Sequence, residues 1–100
     1  MITLTVLYPK TADSHFDLAY YLNTHIPLVK ERLTSVGLTN VIMQEAIDTG
    51  TMPPYAMITS LVFGTADEMG AGMGAHGPEL MGDIPNFTNV TPQTQVCQLH

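Results

Sequence analysis

The 100-residue sequence contains few charged residues and almost no basic ones. Lysine and arginine together number three, against nine aspartate and glutamate residues, and the formal net charge is −6. Proteins that bind nucleic acids neutralise phosphates with many lysine and arginine side chains, and anionic membrane surfaces attract clusters of the same residues. The sequence therefore predicts neither a nucleic-acid partner nor a membrane partner.

Cysteine and long apolar runs are also scarce. The single cysteine, Cys97, cannot form an internal disulfide, which is typical of a reducing compartment. No apolar run approaches the roughly 18 residues that a membrane-spanning helix needs, and the N-terminus lacks the basic residues and cleavage site of a signal peptide. We therefore expect a cytoplasmic protein with one domain over residues 1–100.

The shortage of charge also bears on assembly. Charged residues make up 12% of the chain, which is about half of the ~25% typical of a soluble domain. Small domains have a large surface relative to their volume. We therefore expect part of the surface to be hidden against a partner, most simply a second copy of the chain.

Hydrophobic periodicity predicts six elements, in the order strand, helix, strand, strand, helix, strand. Alternating apolar residues predict strands over residues 2–8, 38–48, 55–63 and 93–99. The third is apolar on both faces, which is typical of a central strand. This order predicts an α+β, ferredoxin-like βαββαβ fold, with two helices on one face of a four-stranded antiparallel sheet. A second subunit is the simplest cover for the other face, so we expect a sheet-to-sheet homodimer.

The first helix is predicted to begin at a cap formed by Asp13 or Ser14, with Asp17 completing a capping box after Ser14. Its apolar residues recur at spacings of three and four, and Leu22 lies at the centre of the stripe expected to be buried. Pro27 is expected to interrupt the helix, because proline has no N–H and its ring clashes with the carbonyl four residues earlier.

Two residues of this helix could form an acid/base pair. Tyr21 and His25 are four positions apart, so their side chains can meet, and they lie on a flank that can line a cleft between helix and sheet. Imidazole titrates near neutral pH, and a tyrosine can orient it or donate a proton to a reacting group. The alternative is a structural histidine at the border of the core, with a backbone hydrogen bond.

The second helix is predicted to begin at a capping box formed by Thr65 and Glu68. His76 occupies a position of its apolar stripe, between Met73 and Leu80. Because both helices cover one sheet face, His76 could face the same space as the histidine of the first helix and complete a polar site. A buried imidazole needs a hydrogen-bond partner, so a purely structural role is again the alternative.

Other motifs are weaker. Residues 72–77 match the letters of the GxGxxG dinucleotide motif, but the preceding strand ends near residue 64 and no acidic residue follows at the required distance. His76, Glu79 and Asp83 fit no strong metal pattern. The sequence therefore predicts neither a bound cofactor nor a metal.

Several segments resemble the EthD family. Phe16-Asp17, Tyr20-Tyr21 and His25-Ile-Pro27-Leu28 are similar to its N-terminal signature, and His76-Gly77-Pro78-Glu79 with residues 83–88 is similar to its C-terminal block. The resemblance covers nearly the whole chain and implies a dimeric α+β barrel. It matches His25 to the family histidine, Tyr21 to the second tyrosine before it, and His76 to the histidine before Gly-Pro.

The resemblance implies a range of activities rather than one reaction. The family namesake accompanies an ether-degrading monooxygenase system, and many members carry a generic reductase or oxidoreductase label. Relatives on the same barrel include cyclases, dehydratases, isomerases and monooxygenases that act on aromatic or polyketide-like compounds. We expect either a cofactor-independent acid/base enzyme for a small apolar carbonyl or phenolic compound, or a non-catalytic module that holds a hydrophobic metabolite for a partner oxygenase.

Overall fold

Four antiparallel strands form one sheet in the computed structural model, which describes residues 1–100. The strands are β1 (Ile2–Pro9), β2 (Leu38–Glu45), β3 (Tyr55–Phe63) and β4 (Gln93–Gln98), in the spatial order β2-β3-β1-β4. The predicted ferredoxin-like fold, with its third strand at the centre, is confirmed. The predicted extension of β2 to residue 48 is wrong, since the Asp48 carboxylate accepts a hydrogen bond from the Gly50 N–H and forms a turn.

Two helical segments cover one face of this sheet. The first comprises α1 (Leu18–Tyr20), a π turn (Tyr21–His25) and α2 (Ile26–Leu33), and the second is α3 (Ala66–Asp83). The core between helices and sheet contains two groups of buried side chains, one around Tyr8 and Phe87 and one around Leu33 and Phe63. No helix is long and apolar enough to span a bilayer.

The first helical segment begins later than predicted. Its cap is Asp17, whose Oδ1 accepts a hydrogen bond from the Tyr20 N–H at 3.1 Å. The predicted cap at Asp13 or Ser14 is wrong because Ser14 closes a turn with Thr11. The Ser14 hydroxyl accepts from the Thr11 N–H and donates to the Thr11 carbonyl, each at 2.9 Å.

The π turn changes which residues of this segment face the sheet. The Ile26 N–H donates to the Tyr21 carbonyl, five residues back rather than four, so the turn holds an extra residue. The α-helix is thus interrupted close to Pro27, as predicted, by a wider turn that ends two residues before the proline. Tyr21 is consequently buried at 1% exposure, whereas Leu22, predicted at the centre of the buried stripe, is 43% exposed. The turn also carries His25 from the predicted flank into the core, where it is 5% exposed.

The second helix begins where it was predicted to begin. The Thr65 hydroxyl accepts a hydrogen bond from the Glu68 N–H at 3.1 Å, which confirms Thr65 as the cap. The helix continues unbroken past its glycines and Pro78 to Asp83. Gly72 is buried where α3 packs against the end of the first helical segment, and a Cβ there would lie 2.8 Å from Val36 Cγ2.

We expect Gly72→Ala to destabilise the protein by about 1–3 kcal/mol, because the added methyl group overpacks this helix contact. Gly74→Ala is the matched control, since no atom lies within 4 Å of a Cβ at that position. That change should instead stabilise the helix by up to about 1 kcal/mol. Urea unfolding of both variants measures the difference. Equal effects of the two substitutions would contradict close packing at Gly72.

The sheet face opposite the helices carries no charged strand residue. β1 presents Thr3, Thr5 and Leu7 there, and β3 presents their cross-strand neighbours Ile58, Ser60 and Val62. The Thr5 and Ser60 hydroxyls hydrogen-bond each other across the strands at 3.0 Å. Both helical segments pack on the other face, as the sequence predicts, and Thr3 and Val62 on this face are only 4% and 2% exposed in the single chain.

Candidate functional site

His25 and Asp83 form the centre of the candidate site. His25 Nδ1 lies 2.9 Å from Asp83 Oδ2, and their side chains are only 6% and 13% exposed. The π turn ends at His25, and α3 ends at Asp83. The two helical segments therefore bring together an imidazole and a carboxylate that are 58 positions apart in the chain.

Two further donors hold the Asp83 carboxylate. The Tyr20 hydroxyl donates to Asp83 Oδ1 at 2.6 Å, and Asn86 Nδ2 donates to the same oxygen at 3.0 Å. Burial raises the pKa of Asp83, but hydrogen bonds from Tyr20, Asn86 and His25 outweigh it and hold this pKa below its usual value of 3.8. Asp83 is therefore a carboxylate at neutral pH.

Aromatic rings surround the imidazole on its buried side. The ring centroid of Phe87 lies 4.7 Å from that of His25, and the Tyr21 ring stacks on the imidazole at 5.5 Å with planes 20° apart. The Tyr21 hydroxyl forms its hydrogen bond with Thr59 rather than with His25. Burial raises the pKa of Tyr21, so this hydroxyl stays protonated and orients the ring against the sheet.

The second nitrogen of His25 is free. Nε2 takes part in no hydrogen bond within the chain. Every fully buried polar side-chain atom does have a hydrogen-bond partner, so Nε2 is not fully buried. Nε2 therefore has access to open space. His25 also lines a cavity of about 40 Å³ between helices and sheet, and nine of the eleven residues that line it are hydrophobic. Residues that line it together with His25 include Leu4, Val6 and Tyr8 of β1, Val29 of α2, Leu80 and Met81 of α3, and Thr94 of β4.

Two wider clefts lie elsewhere and lack such chemistry. One of about 240 Å³ is lined by Lys30 and the start of β2, and one of about 320 Å³ is lined by Glu45 and the loop before β3. Neither contains a histidine or a pair of titratable groups that contact each other. The smaller cavity is the stronger candidate, because apolar walls with a few convergent polar groups are typical of small-molecule sites.

The structure brings together only part of the predicted site. Tyr21 and His25 contact each other, as expected from their spacing, although through their rings. His76 does not line the cavity and makes no hydrogen bond, so the expected convergence of two imidazoles is not found. It lies one turn before Glu79, whose pKa is lowered mainly by its hydrogen bond with Arg32. A catalytic role for His76 stays a prediction.

The contact of Asp83 with His25 is not predicted from the sequence, in which Asp83 enters only as a possible metal ligand and as the start of the EthD-like segment 83–88. His76, Glu79 and Asp83 do not form a ligand cluster, because Glu79 pairs with Arg32 and Asp83 with His25. One signal was available. A carboxylate in the last turn of a helix faces the negative end of the helix dipole, and α3 has no basic residue in that turn. Such a residue needs donors from elsewhere in the fold.

The fold and the site define a ferredoxin-like α+β protein with a small apolar cavity between its helices and sheet. Comparison with solved structures identifies the family. An EthD-like protein from Ralstonia eutropha is 31% identical and superposes with a TM-score of 0.87, over 97% of this chain and 89% of the other. The chain therefore belongs to the EthD family, and the resemblance seen in the sequence is confirmed.

More distant structures share the fold alone. A family protein from Bacillus halodurans, named for ethyl tert-butyl ether and EthD, is 16% identical with a TM-score of 0.71, over 100% of this chain and 99% of the other. A dimeric ferredoxin-like protein from an uncultured marine organism is 10% identical with a TM-score of 0.64, over 99% and 94%. Neither a protein-family model nor a curated protein matches the chain.

Proposed function

We propose that the protein is a cofactor-independent acid/base enzyme, serving catabolism, that acts on a small, largely apolar carbonyl or phenolic compound. His25 is the catalytic base and acid, and Asp83 positions it. The observation that carries this proposal is the position of His25, whose Nδ1 lies against a carboxylate, whose Nε2 makes no hydrogen bond, and which lines an apolar cavity. Histidine is suited to the task because its ordinary pKa lies near neutral pH.

The proposed step moves one proton and needs no oxidant. Nε2 accepts a proton from a carbon next to a carbonyl group, or from a phenolic hydroxyl, and the electron pair left behind becomes an enolate or phenolate. Asp83 stabilises the imidazolium that forms, as a carboxylate paired with histidine does in general. The imidazolium then returns the proton to the same or another atom of the substrate. In an apolar cavity this charge attraction is stronger than in water.

Methionine side chains control how much room the substrate has. A volume of about 40 Å³ holds a few water molecules, so a larger compound enters only if the wall moves. Met73 and Met81 both line the cavity, and Met81 is 47% exposed at its edge. Methionine is flexible enough to fill or vacate irregular apolar space. We propose that these two side chains move aside when the substrate binds.

Exchange of carbon-bound protons tests the proposal against a non-catalytic binding module. Phenylacetone, a small apolar ketone, is incubated with the protein in deuterium oxide, and proton NMR follows loss of the signals next to its carbonyl group. We expect the protein to accelerate the exchange at least about tenfold over buffer, equivalent to ~1.4 kcal/mol of barrier. His25→Gln should return the exchange to the buffer rate, because glutamine cannot accept the proton.

His15→Gln is the matched control, since His15 is exposed and its side chain makes no hydrogen bond. His15→Gln should accelerate proton exchange in phenylacetone at the wild-type rate. His76→Gln tests the catalytic role predicted for His76, and an unchanged rate would contradict that role, in keeping with the position of His76 outside the cavity lining. Shifts in the ketone signals without exchange would instead establish the alternative, a module that holds a hydrophobic metabolite for a partner monooxygenase system.

We also propose that the protein works in the cytoplasm as a homodimer joined through the uncharged sheet face. Support comes from the absence of charged strand residues on that face and from the dimeric ferredoxin-like structure of similar fold. Light scattering should then give twice the chain mass of 10.9 kDa, and a monomer at the same concentration would overturn this part of the proposal. Because the chain has only three basic residues, we propose neither a nucleic-acid partner nor a membrane partner.

A further inference from the structure

We infer that Tyr20 is a positioning residue that acts through Asp83 to hold His25 with Nδ1 protonated and Nε2 unprotonated. The inference deepens the proposed function and takes its catalytic meaning from it. Its physical content, a preference for one imidazole tautomer, can be measured without a substrate.

The geometry around the carboxylate carries the inference. The two oxygens of Asp83 have different partners, since Oδ2 faces His25 Nδ1 at 2.9 Å and Oδ1 accepts from Tyr20 at 2.6 Å. Asn86 contacts both partners of the Tyr20–Asp83 hydrogen bond, because its Nδ2 lies 3.0 Å from Asp83 Oδ1 and 3.4 Å from the Tyr20 hydroxyl. With donors fixed on Oδ1, the carboxylate cannot rotate about its terminal bond without losing them. Oδ2 therefore stays directed at the imidazole.

This arrangement selects the tautomer. An ionised carboxylate only accepts hydrogen bonds, so the imidazole nitrogen beside it must be the donor. In neutral imidazole the other nitrogen is then the acceptor. No other group competes for the ring, since Asp83 is the only charged residue paired with His25 and the Tyr21 hydroxyl is engaged by Thr59. The proton position on His25 thus depends on how firmly Asp83 is held.

Tyr20 is placed to act without contacting the cavity. It does not line the cavity, and its ring stacks on Phe87 with centroids 6.2 Å apart and planes 24° apart. Removing only the hydroxyl leaves that stacking in place. Its hydrogen bond to Asp83 raises the pKa of Tyr20, so the phenol remains a donor at neutral pH.

The test compares Tyr20→Phe with Tyr55→Phe. Tyr55 is the matched control, because its hydroxyl donates a side-chain hydrogen bond to Gln93 Oε1 and makes none with Asp83 or His25. Long-range proton–nitrogen NMR spectra of the neutral imidazole report the tautomer of His25 in each protein. We expect Tyr20→Phe to lower the ratio of the Nδ1-protonated to the Nε2-protonated form by about tenfold, which corresponds to weakening the His25–Asp83 hydrogen bond by ~1.4 kcal/mol. Tyr55→Phe should leave the ratio unchanged.

A second measurement distinguishes the loss of a positioning hydrogen bond from a general loss of folded structure. In Tyr20→Phe the pKa of the Asp83 carboxyl should rise, because one of the hydrogen bonds that lowers it is gone, while the backbone amide spectrum stays that of the folded protein. An unchanged His25 tautomer in folded Tyr20→Phe would overturn the inference, whatever the substrate. Failure of phenylacetone exchange with the tautomer shift present would overturn only the proposed function.

Discussion

Phe87→Ala should lower the free energy of unfolding by about 3–5 kcal/mol, the usual cost of removing a fully buried phenylalanine ring. Phe87 has no exposed surface, and its ring contacts five others, those of Tyr8, Phe16, Tyr20, Tyr21 and His25. Its loss leaves a cavity in the centre of this aromatic group. It also removes the surface against which the imidazole is packed.

Phe63→Ala is the control for this prediction. Phe63 is equally buried but belongs to the other group of core residues, so its removal should cost a similar free energy without changing the NMR signals of His25. Urea unfolding gives the stabilities of both variants, and imidazole NMR gives the second comparison. A cost below about 1.5 kcal/mol for Phe87→Ala, the range of a conservative core change, would contradict the packing described for the site.

Asp83→Asn should lower the free energy of unfolding at neutral pH by about 2–3 kcal/mol, because hydrogen bonds to a buried charge are worth more than neutral ones. The effect depends on pH in a defined direction. The folded state holds the pKa of Asp83 below 3.8, so the carboxylate contributes its full stability above that value. The contribution is lost as the pH falls through the lowered pKa of the folded state.

Unfolding of wild type and Asp83→Asn should therefore differ by a constant amount above pH 5 or so and converge in more acidic solution. Asp13→Asn is the control, because Asp13 is exposed and its carboxylate makes no hydrogen bond. Asparagine at position 83 can also donate to Nδ1, which favours the Nε2-protonated form of His25 and should reduce phenylacetone exchange by at least about tenfold. A stability difference that persists unchanged at acidic pH would contradict the pairing.

Most of the fold could be predicted from the sequence because its periodicity is local. Alternating apolar residues in β1 and β3 matched the observed strands to within one residue, and Thr65 capped α3 as predicted. The element order then left few topologies for a four-stranded antiparallel sheet. Strand ends were less certain, since the turn at Asp48 depends on a side-chain hydrogen bond that periodicity does not show.

The π turn explains the main error in the candidate site. Helical arithmetic assumes about 100° per residue, and one extra residue in a turn shifts every position on that turn. Leu22 therefore lies outside and Tyr21 inside, and His25 is buried instead of lying on the flank. Pro27 was the visible signal, but proline indicates a local irregularity without specifying whether a kink or a wider turn results.

Asp83 could not be assigned from spacing, because its partners come from distant parts of the chain. His25 and Tyr20 are 58 and 63 positions away, and only the packing of α3 against the first helical segment brings them together. His76 was favoured instead because it interrupts an apolar stripe, which is a local feature. In the structure the imidazole of His25 pairs with the carboxylate of Asp83, and His76 does not line the cavity.

The account depends on Nε2 of His25 being an accessible proton acceptor in an apolar cavity. The most direct measurement is a titration of the wild-type protein with para-cresol, followed by the imidazole nitrogen signals of all four histidines. We predict that Nε2 of His25 alone shifts in the direction of a hydrogen-bonded or protonated nitrogen, while Nδ1 keeps its proton. Binding of para-cresol that leaves the His25 nitrogens unchanged would contradict the account.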